Sequence, residues 1–311
     1  MNQPRPSNPT SNTPPPRAGS DNTSPSASDD TSLPASNDTS PSASNDTSLP
    51  ASNDTSPSAS NDTSPSASND NAYIHEFIDI RGTHRADYMQ HMAANWSPSA
   101  QEDRHQLLFG MWAVLGTTGP WPQVCNIWEE PGLDGLARSF ANEATGPGLQ
   151  DAKLERWWNK ASEFRRGGFD RILLPAPWMP SITHSIESGV HAEVFAHEII
   201  RCRPGSSPDL LELARELAVP AYEPHGWHLV GAWTTAMRDD DEAILLWALD
   251  DWQAWAEAEK VQRSDSSLLA WRERARASAT DWHRILLAAA PLCPFRTGRQ
   301  PTRSDQVDWQ G

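Results

Sequence analysis

The sequence predicts an α+β fold in which two copies of one βαββαβ unit pack as a pseudo-symmetric α/β barrel, behind a disordered N-terminal arm. Three short patterns predict the duplication, because they occur twice in the same order. A repeat of about a hundred residues is longer than solenoid periods and indicates two similar domains in tandem. The patterns of the first copy are Tyr73-Ile74-His75-Glu76-Phe77-Ile78, Gly110-Met111-Trp112 and Arg171-Ile172-Leu173-Leu174, and those of the second are Phe195-Ala196-His197-Glu198-Ile199-Ile200, Gly231-Ala232-Trp233 and Arg284-Ile285-Leu286-Leu287.

The arm comprises residues 1–71 and is composed almost entirely of Ser, Asn, Asp, Thr, Pro and Ala, with no aromatic residue before Tyr73. Such a composition buries too little apolar surface to offset the entropy of ordering the chain. It is either a solubilising or partner-binding tether or a repeat expanded by replication slippage, and the scarcity of apolar anchors favours the second interpretation. The repeat is marked by aspartates in register at Asp30, Asp38, Asp46, Asp54, Asp62 and Asp70.

Charge and cysteine content exclude several classes of protein. The net charge of −16 and the short, interrupted arginine clusters do not suit nucleic-acid binding. No stretch reaches the length of a membrane span, so we expect no membrane insertion. Three widely spaced cysteines and a polar start without an apolar signal region predict a reduced, cytoplasmic protein.

The first predicted domain covers residues 72–182. A β-type run from Tyr73 to Ile80 precedes a helix that Thr83 can cap, and strands follow over residues 107–115 and 123–128. A helix beginning near Asp151 is expected to end at Gly167-Gly168, before a last strand over residues 171–174.

The second predicted domain covers residues 190–295 and leaves residues 296–311 as a tail. Strands are expected over residues 194–202, 227–236, 243–247 and 284–288, and Ser207-Pro208 and Asp250 or Asp251 mark helix starts. This is the ferredoxin-like order, in which helices cover one face of a four-stranded sheet. Packing the two bare faces against each other gives a shared barrel.

These residues resemble the NIPSNAP family of the dimeric α/β-barrel superfamily. The resemblance spans Tyr73 to about Ala290 and rests on spaced glycine and tryptophan positions. They are Gly110-x-Trp112, Gly116, Gly119-Pro120, Val124 and Trp128, with Gly231-x-Trp233-Thr234-Thr235, Trp247 and Arg203-Pro204-Gly205. The chain departs from the family at Glu76 and Glu198, where a basic residue is common, and at Gly82-Thr83, which replaces Pro-Gly. The resemblance implies the barrel fold; family members mostly lack an assigned activity, whereas superfamily relatives include cofactor-free oxygenases, isomerases, cyclases, dehydratases and haem-binding proteins.

The two His-Glu pairs are the candidate catalytic residues. Adjacent residues of a strand point to opposite faces, so alternation places His75 and His197 in the barrel and Glu76 and Glu198 under the helices. Histidine titrates near neutral pH, so His75 and His197 could act as general acid and base if they meet at the pseudo-twofold axis. Each could also be a satisfied structural histidine. The sequence offers no obvious third ligand, so no metal and no cofactor is predicted.

A second set of residues is predicted to line a ligand cavity in the barrel. Aromatic walls suit a flat, apolar molecule, although tryptophans on strands more often fill the core between sheet and helices. The predicted ligand-binding residues are Tyr73, Asp79, Arg81, Trp112, Trp128, Arg201, Trp233 and Trp247.

Two hypotheses of function remain open on the sequence. The first is a barrel that binds a small, largely apolar or aromatic molecule, with cofactor-independent isomerase or oxygenase chemistry at His75 and His197. The alternative is a non-catalytic interaction or assembly protein with a filled barrel, and either could form a homo-oligomer. A cavity of roughly 300 Å³ or more at either histidine would favour the first.

Overall fold

The computed structural model describes residues 68–306, in which eight strands form a closed, antiparallel barrel in the order β1-β3-β2-β8-β5-β7-β6-β4. The predicted fold class is confirmed. Residues 1–67 of the predicted arm and residues 307–311 of the tail lie outside the described part of the chain. The strands are β1 Ala72–Ile80, β2 Leu107–Val114, β3 Gln123–Glu130, β4 Arg165–Pro175, β5 Val194–Cys202, β6 Trp227–Thr235, β7 Glu242–Leu249 and β8 Ala279–Ala289.

Helices follow β1, β3, β5 and β7, as the βαββαβ order requires. After β1 come α1 Arg85–Gln90, a π-helical turn His91–Trp96 and α2 Ser97–Arg104, and after β3 come α3 Gly132–Glu143 and α4 Ala152–Phe164. A short helix, α5 Ile182–Glu187, joins the halves. In the second half the helices are α6 Ser207–Leu213, a π-helical turn Ala214–Ala218, α7 Val219–Tyr222, α8 Trp252–Val261 and α9 Ser266–Arg276, and the short α10 Pro294–Thr297 follows β8. None of the helices in residues 68–306 is both long and apolar enough to cross a membrane.

Two local predictions were wrong and one was confirmed. Helix α1 begins at Arg85 without a side-chain cap, so Thr83 does not cap it. Helix α4 ends at Phe164, and Gly167-Gly168 belong to β4, where a Cβ on Gly168 would lie 2.5 Å from the Phe77 carbonyl oxygen of β1. Gly168 therefore allows β4 and β1 to approach closely, whereas a Cβ on Gly167 would meet no atom within 4 Å. Asp251 caps α8 as predicted, because its side chain accepts a hydrogen bond from the Ala254 amide.

The recurring Gly-x-Trp pattern has a steric origin. In β2 the register shifts between Leu108 and Gly110, and the Trp112 ring folds back over Gly110. A Cβ on Gly110 would lie 2.1 Å from that ring, and a Cβ on Gly231 would lie 1.9 Å from the Trp233 ring. Each glycine therefore makes the space that its tryptophan fills.

One part of the barrel interior is filled by aromatic side chains. Phe109 packs edge-on against both Tyr73 and Trp233, with ring centroids 5.6 and 5.4 Å away, and Trp112 packs against Phe195 at 5.3 Å. These five side chains are fully buried. The alternation of inner and outer residues in β1 and β5 therefore builds a packed lumen at this level, as in small barrels generally.

The two halves meet along two short seams. Strands β2 and β8 pair over three residues, and β4 and β6 pair from Leu173 to Pro175. Within each half the pairing is longer, since β1 pairs with β4 from Tyr73 to Ile80. The earlier part of β4, including Arg171, therefore extends beyond its seam with β6, and this position shapes the site described next.

Candidate functional site

His75 and His197 meet at the centre of the barrel. Their Nε2 atoms are 3.0 Å apart, their rings are nearly parallel with centroids 4.9 Å apart, and both side chains are almost completely buried. Phe77 packs edge-on against both rings, at 4.9 and 5.4 Å. The structure thus brings together the two residues that strand alternation placed in the lumen.

Both imidazoles are held neutral by their surroundings. Burial lowers the pKa of His75 well below its ordinary value, and the nearby His197 and Arg171 add to the effect. Burial, Arg171 and His283 lower the pKa of His197 to about 3. Near neutral pH one Nε2 must therefore donate a hydrogen to the other.

Arg171 indicates the direction of that hydrogen bond. Its Nη1 lies 3.5 Å from Nδ1 of His75, a long contact in which only the arginine can donate. His75 then carries its hydrogen on Nε2 and donates it to His197, whose own hydrogen lies on Nδ1. That Nδ1 atom is buried and has no hydrogen-bond partner among the described residues.

Cys125 is a third possible metal ligand beside this pair, and sequence reasoning missed it. Its Sγ lies 3.6 Å from Nε2 of His75, and the potential ligand atoms of His75, Cys125 and His197 all lie within 4.8 Å of one another. Two histidines and a cysteine are a ligand set that Zn²⁺ accepts. The register that pairs Phe77 with Cys125 across β1 and β3 produces the cluster, and separate sequence segments do not show it.

The surroundings of the cluster fit a hydrogen-bonded pair better than a metal centre. A ligating histidine usually donates its second ring N–H to a carboxylate or carbonyl, but Nδ1 of His75 faces the Arg171 guanidinium. Burial also raises the pKa of the Cys125 thiol, which disfavours the thiolate that a metal requires. The number and spacing of the three ligand atoms suit a metal ion, but the positive charge of Arg171 beside His75 disfavours binding one.

Arg171 is itself held in a buried ion pair. Its Nε donates to Glu242 Oε1 at 2.9 Å, and the Thr235 hydroxyl donates to the same oxygen at 3.0 Å. Glu242 is almost completely buried at the start of β7. The second half of the barrel therefore fixes an arginine of the first half against His75.

Glu76 and Glu198 face the helices, as alternation predicts. Glu76 Oε2 accepts hydrogen bonds from Trp128 Nε1 at 2.7 Å and from Asn126 Nδ2 at 3.1 Å. Glu198 instead pairs with Arg284, whose Nη2 also donates to the Tyr222 hydroxyl at 2.7 Å. The two copies thus satisfy equivalent carboxylates differently.

A cavity of about 460 Å³ adjoins Glu76, between the outer face of β1, β3 and β4 and helices α3 and α4. It reaches the surface at Phe140, Phe169 and Met237, whose side chains are 45, 54 and 93% exposed. Neither His75 nor His197 lies in its wall, so this is not the cavity at a histidine that the sequence-based hypothesis required; Arg171 lies in the wall and also contacts His75. The aromatic residues of the wall are Trp96, Trp128, Phe140, Trp157, Trp158 and Phe169.

The predicted ligand-binding residues do not form one site. Tyr73, Trp112 and Trp233 are buried in the packed lumen, where the Tyr73 hydroxyl donates to Glu129 at 2.8 Å. Trp247 is on the outer face of the second half, with its ring centroid 5.0 Å from that of Tyr222. These four side chains are surrounded by other side chains of the protein and do not border the cavity beside Glu76.

The other predicted residues are nearer to open space. Asp79, Arg81 and Arg201 are exposed at one end of the barrel, where Asp79 accepts a hydrogen bond from Gln123 and Arg201 lies 3.9 Å from Glu242. Trp128 alone among the predicted set lines the cavity of about 460 Å³.

No protein-family model matches the sequence, and no curated protein does. The structure is similar to a protein of Lactobacillus acidophilus provisionally assigned as a monooxygenase, with 8% identity, a TM-score of 0.49, and coverage of 76% of this chain and 97% of that one. An anthrone oxidase-like protein gives 10% identity and a TM-score of 0.49 over 71% of this chain and 92% of its own. A NIPSNAP domain protein of Burkholderia xenovorans gives 20% identity and a TM-score of 0.29 over 32% of this chain and 98% of its own. NIPSNAP proteins are therefore among the structures that this chain resembles, as its motifs predict.

Proposed function

We propose that the protein binds a small, largely apolar or aromatic molecule in the cavity between β1, β3, β4 and helices α3 and α4. The cavity itself is the observation that supports this proposal, because about 460 Å³ lies within the usual range of ligand sites. Six aromatic side chains line it, and three exposed apolar residues surround its opening. Apolar side chains grouped at the mouth of a cavity are typical of a ligand entrance.

We further propose that His75 and His197 transfer a proton in cofactor-independent isomerase or oxygenase chemistry. Two neutral imidazoles with Nε2 atoms 3.0 Å apart form a donor and acceptor within hydrogen-bond reach. The two histidines do not line the cavity, and Arg171 is the residue that links them to it: it lies in the cavity wall, and its charge is one cause of the lowered pKa of both histidines. A ligand that moves Arg171 therefore changes the basicity of the pair.

A filled barrel that serves protein assembly is the second candidate. The fully buried cluster of Tyr73, Phe109, Trp112, Phe195 and Trp233 favours it, because this part of the lumen is occupied by the protein's own side chains. In that case the cavity beside Glu76 would have no ligand. Cytoplasmic localisation, homo-oligomer formation and the lack of a nucleic-acid partner remain parts of the proposal under either candidate.

Native mass spectrometry of the freshly purified full chain tests the binding proposal. Leu154 is buried in the cavity wall, so Leu154→Trp should fill the space and remove a co-purifying small molecule. Leu269→Trp makes the same change at a residue that is 44% exposed on α9, and should retain the molecule. Equal occupancy in both variants would reject this cavity, and an empty wild type that binds nothing in a screen of small aromatic compounds would favour assembly.

Deuterium incorporation tests the proton-transfer proposal. Wild-type protein incubated with its bound molecule in D₂O should add deuterium at a carbon of that molecule, since under this proposal the histidine pair takes up deuterium and transfers it. His75→Gln/His197→Gln should retain the molecule but add no deuterium. The same incorporation rate in this variant would remove the two histidines from the mechanism.

A further inference from the structure

The two halves of the barrel differ at one outer-face position beside their matched glutamates. In the first half Glu76 of β1 lies opposite Asp170 of β4, and in the second half Glu198 of β5 lies opposite Arg284 of β8. The strand registers make these pairs equivalent, so the match of Arg171 with Arg284 that the sequence patterns predicted is wrong by one position: Arg171 lies opposite His75, and Ile285 lies opposite His197. At the register position beside the glutamate, the second half therefore has an arginine and the first half has an acid.

In the second half, Arg284 is the cation that pairs with the buried glutamate. Its guanidinium bonds Glu198, donates to the Tyr222 hydroxyl, and lies 4.9 Å from the ring centroid of Trp227 and 5.3 Å from that of Tyr222. A cation between a buried carboxylate and aromatic faces is stabilised by both. The second half thus fills its site with its own side chain.

The first half keeps the acid and has aromatic side chains near it, but no cation is bonded to the acid. Glu76 is buried, Trp128 donates to it, and the Tyr88 hydroxyl accepts from Asn126, which also donates to Glu76. Glu76 Oε1 has no hydrogen-bond partner among the described residues, and Asp170 adds a second carboxyl group to the same cavity. Burial and the nearby Asp170 raise the pKa of Glu76, although hydrogen bonds from Trp128 and Asn126 oppose the shift.

The arginines of the cavity wall do not compensate these acids, because each has its own carboxylate. Arg171 pairs with Glu242 at 2.9 Å, Arg238 binds Asp241 through two hydrogen bonds, and Arg104 lies 3.9 Å from Glu143. Within each pair, the arginine and the carboxylate neutralise each other's charge. Three acids of the cavity therefore have no arginine as an ion-pair partner, although the charges of Arg165 and Arg104 lower their pKa values from beyond ion-pair distance.

Those acids are Glu76, Asp170 and Glu130. Glu130 accepts hydrogen bonds only from neutral groups, Gln106 at 2.6 Å and Ser139 at 3.3 Å. None of the three acids forms an ion pair within 4 Å among the residues that the structure describes. The charge of Arg165 acts on Glu76 and Asp170 from a greater distance.

We propose that the cavity selects an organic cation, an aromatic amine whose ammonium group lies between Glu76 and Asp170 as the Arg284 guanidinium lies beside Glu198. Its ring would pack against the tryptophans of the wall, where cation–π and stacking contacts add to the charge pairing. This inference rests on the proposed function, because it names the class of ligand for the same cavity.

Three probes with the same indole ring test the charge preference. Tryptamine is a cation, indole-3-ethanol is neutral and indole-3-acetate is an anion at pH 7, and isothermal titration calorimetry measures each against the full chain. We expect tryptamine to bind at least about tenfold more tightly than indole-3-ethanol, because a charged hydrogen bond is stronger than a neutral one by about that factor. Indole-3-acetate should bind most weakly.

Matched variants locate the effect at Glu76. Glu76→Gln keeps an oxygen for Trp128 and Asn126 but removes the charge, so tryptamine should lose about tenfold in affinity while indole-3-ethanol is unchanged. Glu259→Gln makes the same change in the second half, 3.5 Å from Arg284, and should leave all three affinities unchanged. If Glu76→Gln does not fold, Asp170→Asn at an exposed position should reduce tryptamine binding by several-fold.

The outcomes separate the two proposals. Equal binding of tryptamine and indole-3-ethanol, or tighter binding of indole-3-acetate, would overturn the cation preference and leave the cavity as a site for neutral aromatic molecules. Binding of none of the three probes, together with an empty wild type in native mass spectrometry, would overturn both proposals. Tryptamine binding that Glu76→Gln and Asp170→Asn leave unchanged would also overturn the proposed position of the ammonium group.

Discussion

Replacing His197 with glutamine should flatten the acid side of the protein's stability profile. His197 is 1% exposed, and its pKa is lowered from 6.5 to about 3 by burial and by the charges of Arg171 and His283. The unfolded chain therefore binds a proton more readily than the folded one, so the free energy of unfolding falls as pH falls below 6.5. Glutamine does not titrate, so the variant loses this contribution.

The size of the effect follows from the two pKa values. With 6.5 in the unfolded chain and about 3 in the fold, protonating the unfolded His197 costs about 0.1 kcal/mol of stability at pH 7.5 and about 2 kcal/mol at pH 5. Buried carboxyl groups act in the opposite direction, because burial raises the pKa of Glu76, Glu129 and Glu130. The difference between wild type and variant, rather than either profile alone, therefore isolates the histidine.

Urea unfolding followed by tryptophan fluorescence at pH 7.5 and pH 5.0 measures this difference. We expect the stability lost between the two pH values to be about 2 kcal/mol smaller in His197→Gln than in wild type. His184→Gln is the matched control, since His184 is an exposed histidine on α5 with no side-chain partner among the described residues, and it should leave the loss unchanged. Equal losses in wild type and His197→Gln would refute the interpretation of His197 as a buried, neutral partner of His75.

Two further substitutions test the packing that positions the site. Gly231→Ala should destabilise the fold by about 2 kcal/mol or more, because its Cβ would lie 1.9 Å from the Trp233 ring, whereas Gly148→Ala, with no atom within 4 Å of its Cβ, should be nearly neutral in the same denaturation assay. Arg284→Met should cost about 3–5 kcal/mol by leaving Glu198 buried without its ion pair. Adding Glu198→Gln to Arg284→Met should recover part of that loss in thermal denaturation, and no recovery would mean that the pair does not carry the effect.

Much of the architecture could be predicted from patterns within single segments. Alternation in β1 and β5 was sufficient to place His75 and His197 in the lumen and the adjacent glutamates under the helices, because side chains on a strand point to opposite faces in turn. The cap at Asp251 could also be predicted, since capping depends only on residues that are neighbours in the sequence. Gly167-Gly168 was misread as a helix end because the role of Gly168, which allows β4 to approach β1 closely, depends on a strand about ninety positions away in the chain.

The features that define the candidate site depend on register between distant strands. Cys125 joins the histidine pair only through the pairing of β1 with β3, and Arg171 reaches His75 only because β4 lies on the other side of β1. The tryptophans were ambiguous for a similar reason, since a strand position does not tell whether a ring meets helices, lumen or a cavity. Trp128 and Trp247 occupy matched positions, but Trp128 borders the cavity and Trp247 packs between Tyr222 and Trp227.

The difference between the halves has a physical consequence for where function can reside. A barrel of two identical halves would carry two equivalent outer sites, each with a buried glutamate that needs a cation. In the second half Arg284 supplies it from within the chain, so Glu198 has its ion pair without a ligand. In the first half Asp170 leaves the requirement unmet beside a cavity of about 460 Å³. A single exchange of charge at one register position can therefore convert a structural ion pair into a binding site while the strands, the lumen and the histidine pair remain as they are.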